Sequence, residues 1–114
     1  MKNIIFALLF LVGLSAYAQK STIEIPVSGI CEMCKARIER SLDVPGIWFA
    51  EWNIETKVAT VVYKGDKITP EEIHGLIANA GHDTDQKKAS EEAYAKVHDC
   101  CRYRDDAVQK AHKP

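Results

Sequence analysis

The chain has 114 residues, 46% hydrophobic and 27% charged, with a formal net charge of −1. That is enough chain for one small domain with an aliphatic core. The near-neutral balance, with no basic cluster longer than a pair such as Lys87-Lys88, leaves no electrostatic footprint for nucleic acid.

Met1-Lys2-Asn3 is a short basic start, and the apolar run Ile4 to Leu14 is followed by Ala16-Tyr17-Ala18. This pattern predicts a secretory signal peptide over 1–18, cut after Ala18, and hence a periplasmic or secreted product with no membrane anchor after cleavage. The run is short of the roughly 20 residues a bilayer span needs. The remainder divides into an expected domain over 19–88 and a helical extension over 89–114.

Thr22 to Val27 alternates, with Ile23, Ile25 and Val27 on one face, and reads as a strand. Gly29 permits a turn. From Glu32 the period changes: Cys34, Ile38 and Leu42 recur at helical spacing, and Pro45-Gly46 ends the run. Ile47 to Ile54 and Val58 to Tyr63 read as a hairpin broken at Glu55-Thr56-Lys57. Thr69, Pro70 and Glu72 form a capping box that starts a second helix, with Ile73, Leu76, Ile77 and Ala80 as its buried stripe and Gly81 as its left-handed stop. His82 to Lys88 gives a weak edge strand. Ser90 caps a third helix carrying Tyr94, Val97 and Cys101 on one stripe. The order β-α-β-β-α-β predicts an α+β ferredoxin-like fold: a four-stranded antiparallel sheet, two helices on one face, and a C-terminal helical tail.

Chemistry concentrates in four cysteines, Cys31, Cys34, Cys100 and Cys101. Neither the C-x-x-C nor the adjacent pair closes a useful loop within itself, which argues against a disulfide scaffold. Two sulfurs at a strand-to-helix turn suit a soft metal ion or a reversible disulfide.

The chain resembles the heavy-metal-associated domain family, which includes small copper chaperones, periplasmic mercury-binding proteins and the metal-binding repeats of metal-pumping ATPases. Four pieces carry the resemblance: Ser28-Gly29-Ile30-Cys31-Glu32-Met33-Cys34, the helix ending at Leu42 before Pro45-Gly46-Ile47, Trp52-Asn53-Ile54 leading to Ala59-Thr60-Val61, and Ile77-Ala78-Asn79-Ala80-Gly81-His82-Asp83. Two positions depart from the family pattern: Gly29 stands where a methionine is usual, and His82 where tyrosine, phenylalanine or lysine is usual. The resemblance implies a non-enzymatic metal-binding protein, with a metal-transporter or metal-acceptor protein as partner and Cys31 and Cys34 as ligands. Two thiolates without hard ligands select Cu(I), with Hg(II) or Zn(II) as alternatives. Cys34, in a helix's first turn, gains from the helix dipole, and Lys35 adds positive charge.

His98-Asp99-Cys100-Cys101 lies beyond the family core. A fourth strand leading away over about 17 Å and a tail helix returning over about 15 Å would bring His98, Cys100 and Cys101 to the C-x-x-C end as further ligands. The alternative is that Cys100 and Cys101 merely pack the tail helix. His82 reads as a solvated loop residue or an auxiliary ligand. His74 and His112 read as solvated, Met33 as loop packing, and Trp48 and Trp52 as sheet residues. Two other functions are open. One is a thiol-disulfide oxidoreductase, against which Ile30 before the first cysteine and the early hairpin both speak. The other is a metal-sensing interaction module.

Overall fold

The computed structural model describes residues 20–97 and 99–105. The expected signal peptide, His98 and His112 lie outside the described residues. The elements run β1 (Lys20–Pro26), α1 (Glu32–Ser41), β2 (Ile47–Trp52), β3 (Val58–Lys64), α2 (Pro70–Asn79), α3 (Glu91–Ala95) and a 3₁₀ turn at Asp99–Cys101.

β3 lies between β1 and β2 and pairs with both in antiparallel fashion. Its alternation sends Ala59, Val61 and Tyr63 inward. These meet Ile38 and Leu42, which close the turns of α1, and Ile73 and Ile77 of α2, all nearly or wholly buried. α2 begins as the capping box requires: Thr69 Oγ1 accepts from the Glu72 N–H, and Pro70 takes the first turn. Asn53 Oδ1 accepts from the N–H groups of Glu55 and Thr56, which folds the hairpin turn, and Lys57 closes it with a φ of 63°.

Among the described residues the sheet has three strands, not the four expected. Where the fourth was expected, one antiparallel bridge joins Val27 to Thr84. The reason is local. Thr84 Oγ1 accepts from the N–H groups of Gln86 and Lys87, folding 84–87 into a turn where a ladder would need extended chain. The third helix is also shorter than expected, one turn and a half, before the chain breaks into the 3₁₀ segment.

Two histidines depart from expectation for related reasons. His74 is 4% exposed rather than solvated, because the 84–87 turn covers it and Thr84 Oγ1 sits 2.7 Å from its Nδ1. His82 is fully buried beneath the tail. Of the tryptophans, Trp52 is in the core and Trp48 is 65% exposed. No helix among the described residues is long and apolar enough to cross a membrane.

Candidate metal centre

β1 ends at Pro26, and the chain passes through Gly29 into α1, whose N-cap is Cys31. Gly29 is there because of close approach. A Cβ built on it would lie 3.0 Å from the Trp52 ring and 3.2 Å from Cys34 Cβ. The indole also donates from Nε1 to the Val27 carbonyl at 3.1 Å. A methionine at this position would displace the indole, so the Gly29 departure goes with the Trp52 ring that fills the space.

At the other end of the same edge, α2 stops at Gly81, whose φ is +102°. A Cβ there would meet Val97 Cγ2 at 2.6 Å and the Ala93 carbonyl oxygen at 2.7 Å, so the tail lies directly on this glycine. Three residues anchor it. Tyr103 donates its hydroxyl to the Gly81 carbonyl at 2.6 Å and accepts from the Asp83 N–H at 3.0 Å. Its ring stacks on His82 at 5.5 Å. Arg104 reaches back to both Asp83 oxygens, at 2.7 and 3.3 Å, and to the Ala89 carbonyl at 2.8 Å. With the fourth strand reduced to one bridge, the chain turns back at 84–87, beside His74 of α2. The tail therefore reaches that end by a shorter route than the expected out-and-back path.

The result is a group of sulfurs from two distant segments. Cys31, Cys34 and Cys101 Sγ all lie within 4.8 Å of one another. Cys31 is 3.7 Å from Cys34 and 2.8 Å from Cys101. Cys100 Sγ is 3.8 Å from Cys31, 3.8 Å from Cys101 and 3.4 Å from the Met33 thioether. All four cysteines are free thiols. Met33, read from sequence as loop packing, is 45% exposed and borders the cluster.

The four thiols are not equivalent. Burial opposes ionisation of Cys31, but the Cys101 thiol and the backbone N–H groups at Cys34 and Met33 outweigh it, bringing its pKa down to about 7. Burial pushes Cys34 up, despite its place in the first helical turn. Burial also pushes Cys101 up strongly, and the neighbouring sulfurs of Cys31 and Cys34 add to this. The thiolate therefore forms at Cys31 rather than at Cys34, with Cys101 S–H donating to it. Lys35 does not serve the thiolates as expected: its Nζ binds Glu39 at 2.6 Å and the Trp52 carbonyl at 2.9 Å.

His82 is neither a solvated loop residue nor one of the three mutually close ligands. Its Nδ1–H donates to the Ser28 carbonyl at 2.8 Å, and its buried Nε2 has no hydrogen-bond partner among the described residues. Burial lowers its pKa, so the ring stays neutral. It acts as a wedge between the cysteine loop and Tyr103. Sequence reading missed this anchor of Tyr103, Asp83 and Arg104, because its members are far apart in the chain and no spacing rule links them.

Residues 24–83, just over half of the chain, match the heavy-metal-associated domain. The chain belongs to this family. Among solved structures, this heavy-metal-associated domain is similar to a CopZ metallochaperone, at 27% identity over 56% of this chain and 98% of that one, with a TM-score of 0.54. It is similar to a copper binding domain from HMA7, a P-type ATPase, at 27% identity over 56% and 89%, with a TM-score of 0.54. It is also similar to the water-soluble region of the P-type ATPase CopA from Bacillus subtilis, at 31% identity over 58% and 45%, with a TM-score of 0.55. No curated protein sequence matches the chain. The tail that carries Cys100 and Cys101 begins after the family match ends.

Proposed function

We propose that this chain is an exported carrier of a soft metal ion, Cu(I) before Hg(II) or Zn(II), which it binds through Cys31, Cys34 and Cys101. The observation that carries this is the meeting of three sulfurs from two segments within 4.8 Å. With a metal–thiolate bond of about 2.3 Å, a linear pair holds its sulfurs roughly 4.6 Å apart and a trigonal set roughly 4.0 Å apart. The 3.7 Å between Cys31 and Cys34 lies nearer the trigonal value. This spacing supports three sulfurs over a two-coordinate pair. Binding requires the Cys31–Cys101 contact to open by about an ångström, which loss of the shared proton permits.

Soft thiolates without carboxylate or imidazole in the mutually close set favour Cu(I). The copper chaperone and ATPase-domain neighbours support the same ion, and support a metal-transporting ATPase or similar acceptor as the partner that receives it. Export is proposed from the apolar run and Ala16-Tyr17-Ala18. Outside the cytosol thiols oxidise, and burial of Cys34 and Cys101 would slow that loss. The test is anaerobic titration of the reduced chain with Cu(I) against a chromophoric chelator. Tight uptake is expected, and its loss in the Cys31→Ser, Cys34→Ser double variant. Equal uptake by that variant would overturn the proposal. The thiol-disulfide oxidoreductase alternative draws on one observation, the Cys31 pKa of about 7. Catalytic reduction of a protein disulfide, with no metal uptake, would favour it.

A further inference from the structure

Cys100 and Met33 are left over once a single three-sulfur site has been assigned. Their placement is specific. The sulfur contacts divide into two triangles with a common edge. Cys31, Cys34 and Cys101 make the first. Cys31, Cys101 and Cys100 make the second, with Cys100 3.8 Å from each of the other two. The shared edge is Cys31–Cys101. Beyond the second triangle the Met33 thioether lies 3.4 Å from Cys100 Sγ, on the exposed side.

We propose that the loaded chain holds two Cu(I) ions, one in each triangle, with Cys31 and Cys101 as bridging thiolates and Met33 as an added soft donor to the outer ion. The proposal rests on the soft-metal reading above. Charge does not oppose a second ion. One Cu(I) on three thiolates, with Cys100 still protonated, leaves a net charge of −2, and a second Cu(I) that displaces the Cys100 proton leaves it at −2. Softness favours the second ion, since thiolate and thioether both suit Cu(I). The Met33 sulfur would have no part in a single tetrahedral site built from the four cysteines. Geometry fixes a signature. With bonds of about 2.3 Å and a bridging edge opened to about 3.7 Å, the two ions sit roughly 2.7 Å apart. The two ions differ in access: Cys34 is buried and Cys100 is half-buried. The outer ion is thus the one placed for exchange.

The test is anaerobic Cu(I) titration of the full reduced chain, read by native mass spectrometry and X-ray absorption. Two ions per monomer and a Cu–Cu vector near the derived distance are expected. Cys34→Ser and Cys100→Ser each remove one corner of one triangle. Each variant should therefore bind one ion, lose the Cu–Cu vector and keep the far-ultraviolet circular dichroism of the parent. Saturation of the unaltered chain at one ion would overturn the second site and leave the carrier reading standing. A Cu–Cu vector found only in a dimer would do the same. No uptake at all would remove both. Loss of all binding in Cys34→Ser would show a single site, again against the proposal.

Discussion

Replacing Arg104 by alanine tests whether the tail is held over the sulfurs by its own contacts. The guanidinium makes two hydrogen bonds to Asp83, one to the Ala89 carbonyl, and lies 4.3 Å over the Tyr94 ring. A charge-assisted hydrogen bond contributes about 1.5–3 kcal/mol when shielded. Arg104 and Asp83 side chains are 21% and 18% exposed, and Asp83 keeps the Ala89 N–H as a partner after the change. The lower end therefore applies, about 2 kcal/mol for the paired contact. Loss of the cation over Tyr94 adds about 0.5–1 kcal/mol. The 3.5 Å contact to Glu91, whose side chain is 95% exposed, contributes little. A total of about 3 kcal/mol shifts the balance between seated and released tail by on the order of a hundredfold. Cys101 is 1% exposed when the tail is seated, so its alkylation reports release. Peptide mapping after iodoacetamide at fixed pH should show Cys101 modified up to about a hundredfold faster in Arg104→Ala, with Trp52 fluorescence unchanged. An unchanged Cys101 rate would refute the reasoning.

Gly81→Ala places a Cβ 2.6 Å from Val97 Cγ2 at a φ of +102°, and should destabilise the chain by more than about 1–2 kcal/mol in urea unfolding; an unchanged midpoint contradicts the tail's seating there. Tyr103→Phe removes the hydroxyl that joins the Gly81 carbonyl to the Asp83 N–H and should cost about 1–3 kcal/mol. Equal stability of the two proteins would show that water replaces it. Iodoacetamide should modify Cys31 first, with a rate half-maximal near pH 7, while Cys34 and Cys101 wait for more alkaline solution. The sign for stability follows. The Cys31 pKa is depressed on folding, so its contribution is full above the ordinary thiol pKa and lost as pH falls through about 7. Metal-free protein whose urea midpoint falls between pH 7 and pH 9 would contradict this for Cys31. Copper affinity should also rise with pH, since Cys34 and Cys101 each release a proton on binding.

The sequence by itself determined the first helix, the hairpin and the second helix. Each rests on short-range chemistry: the spacing of Cys34, Ile38 and Leu42, the β-branched run after Val58, and the Thr69-Pro70-Glu72 cap. The C-x-x-C and its place at a strand-to-helix turn were legible for the same reason. Tertiary structure alone decided the rest. Whether 82–88 forms a strand depended on Thr84 preferring its own turn to a ladder. Which cysteine carries the thiolate depended on burial and on Cys101, 70 residues away in sequence. The burial of His82 depended on Tyr103 folding over it. Periodicity reports which face of an element is apolar, but it says nothing about which distant segment comes to cover that face. Here the covering segment supplies two of the four sulfurs.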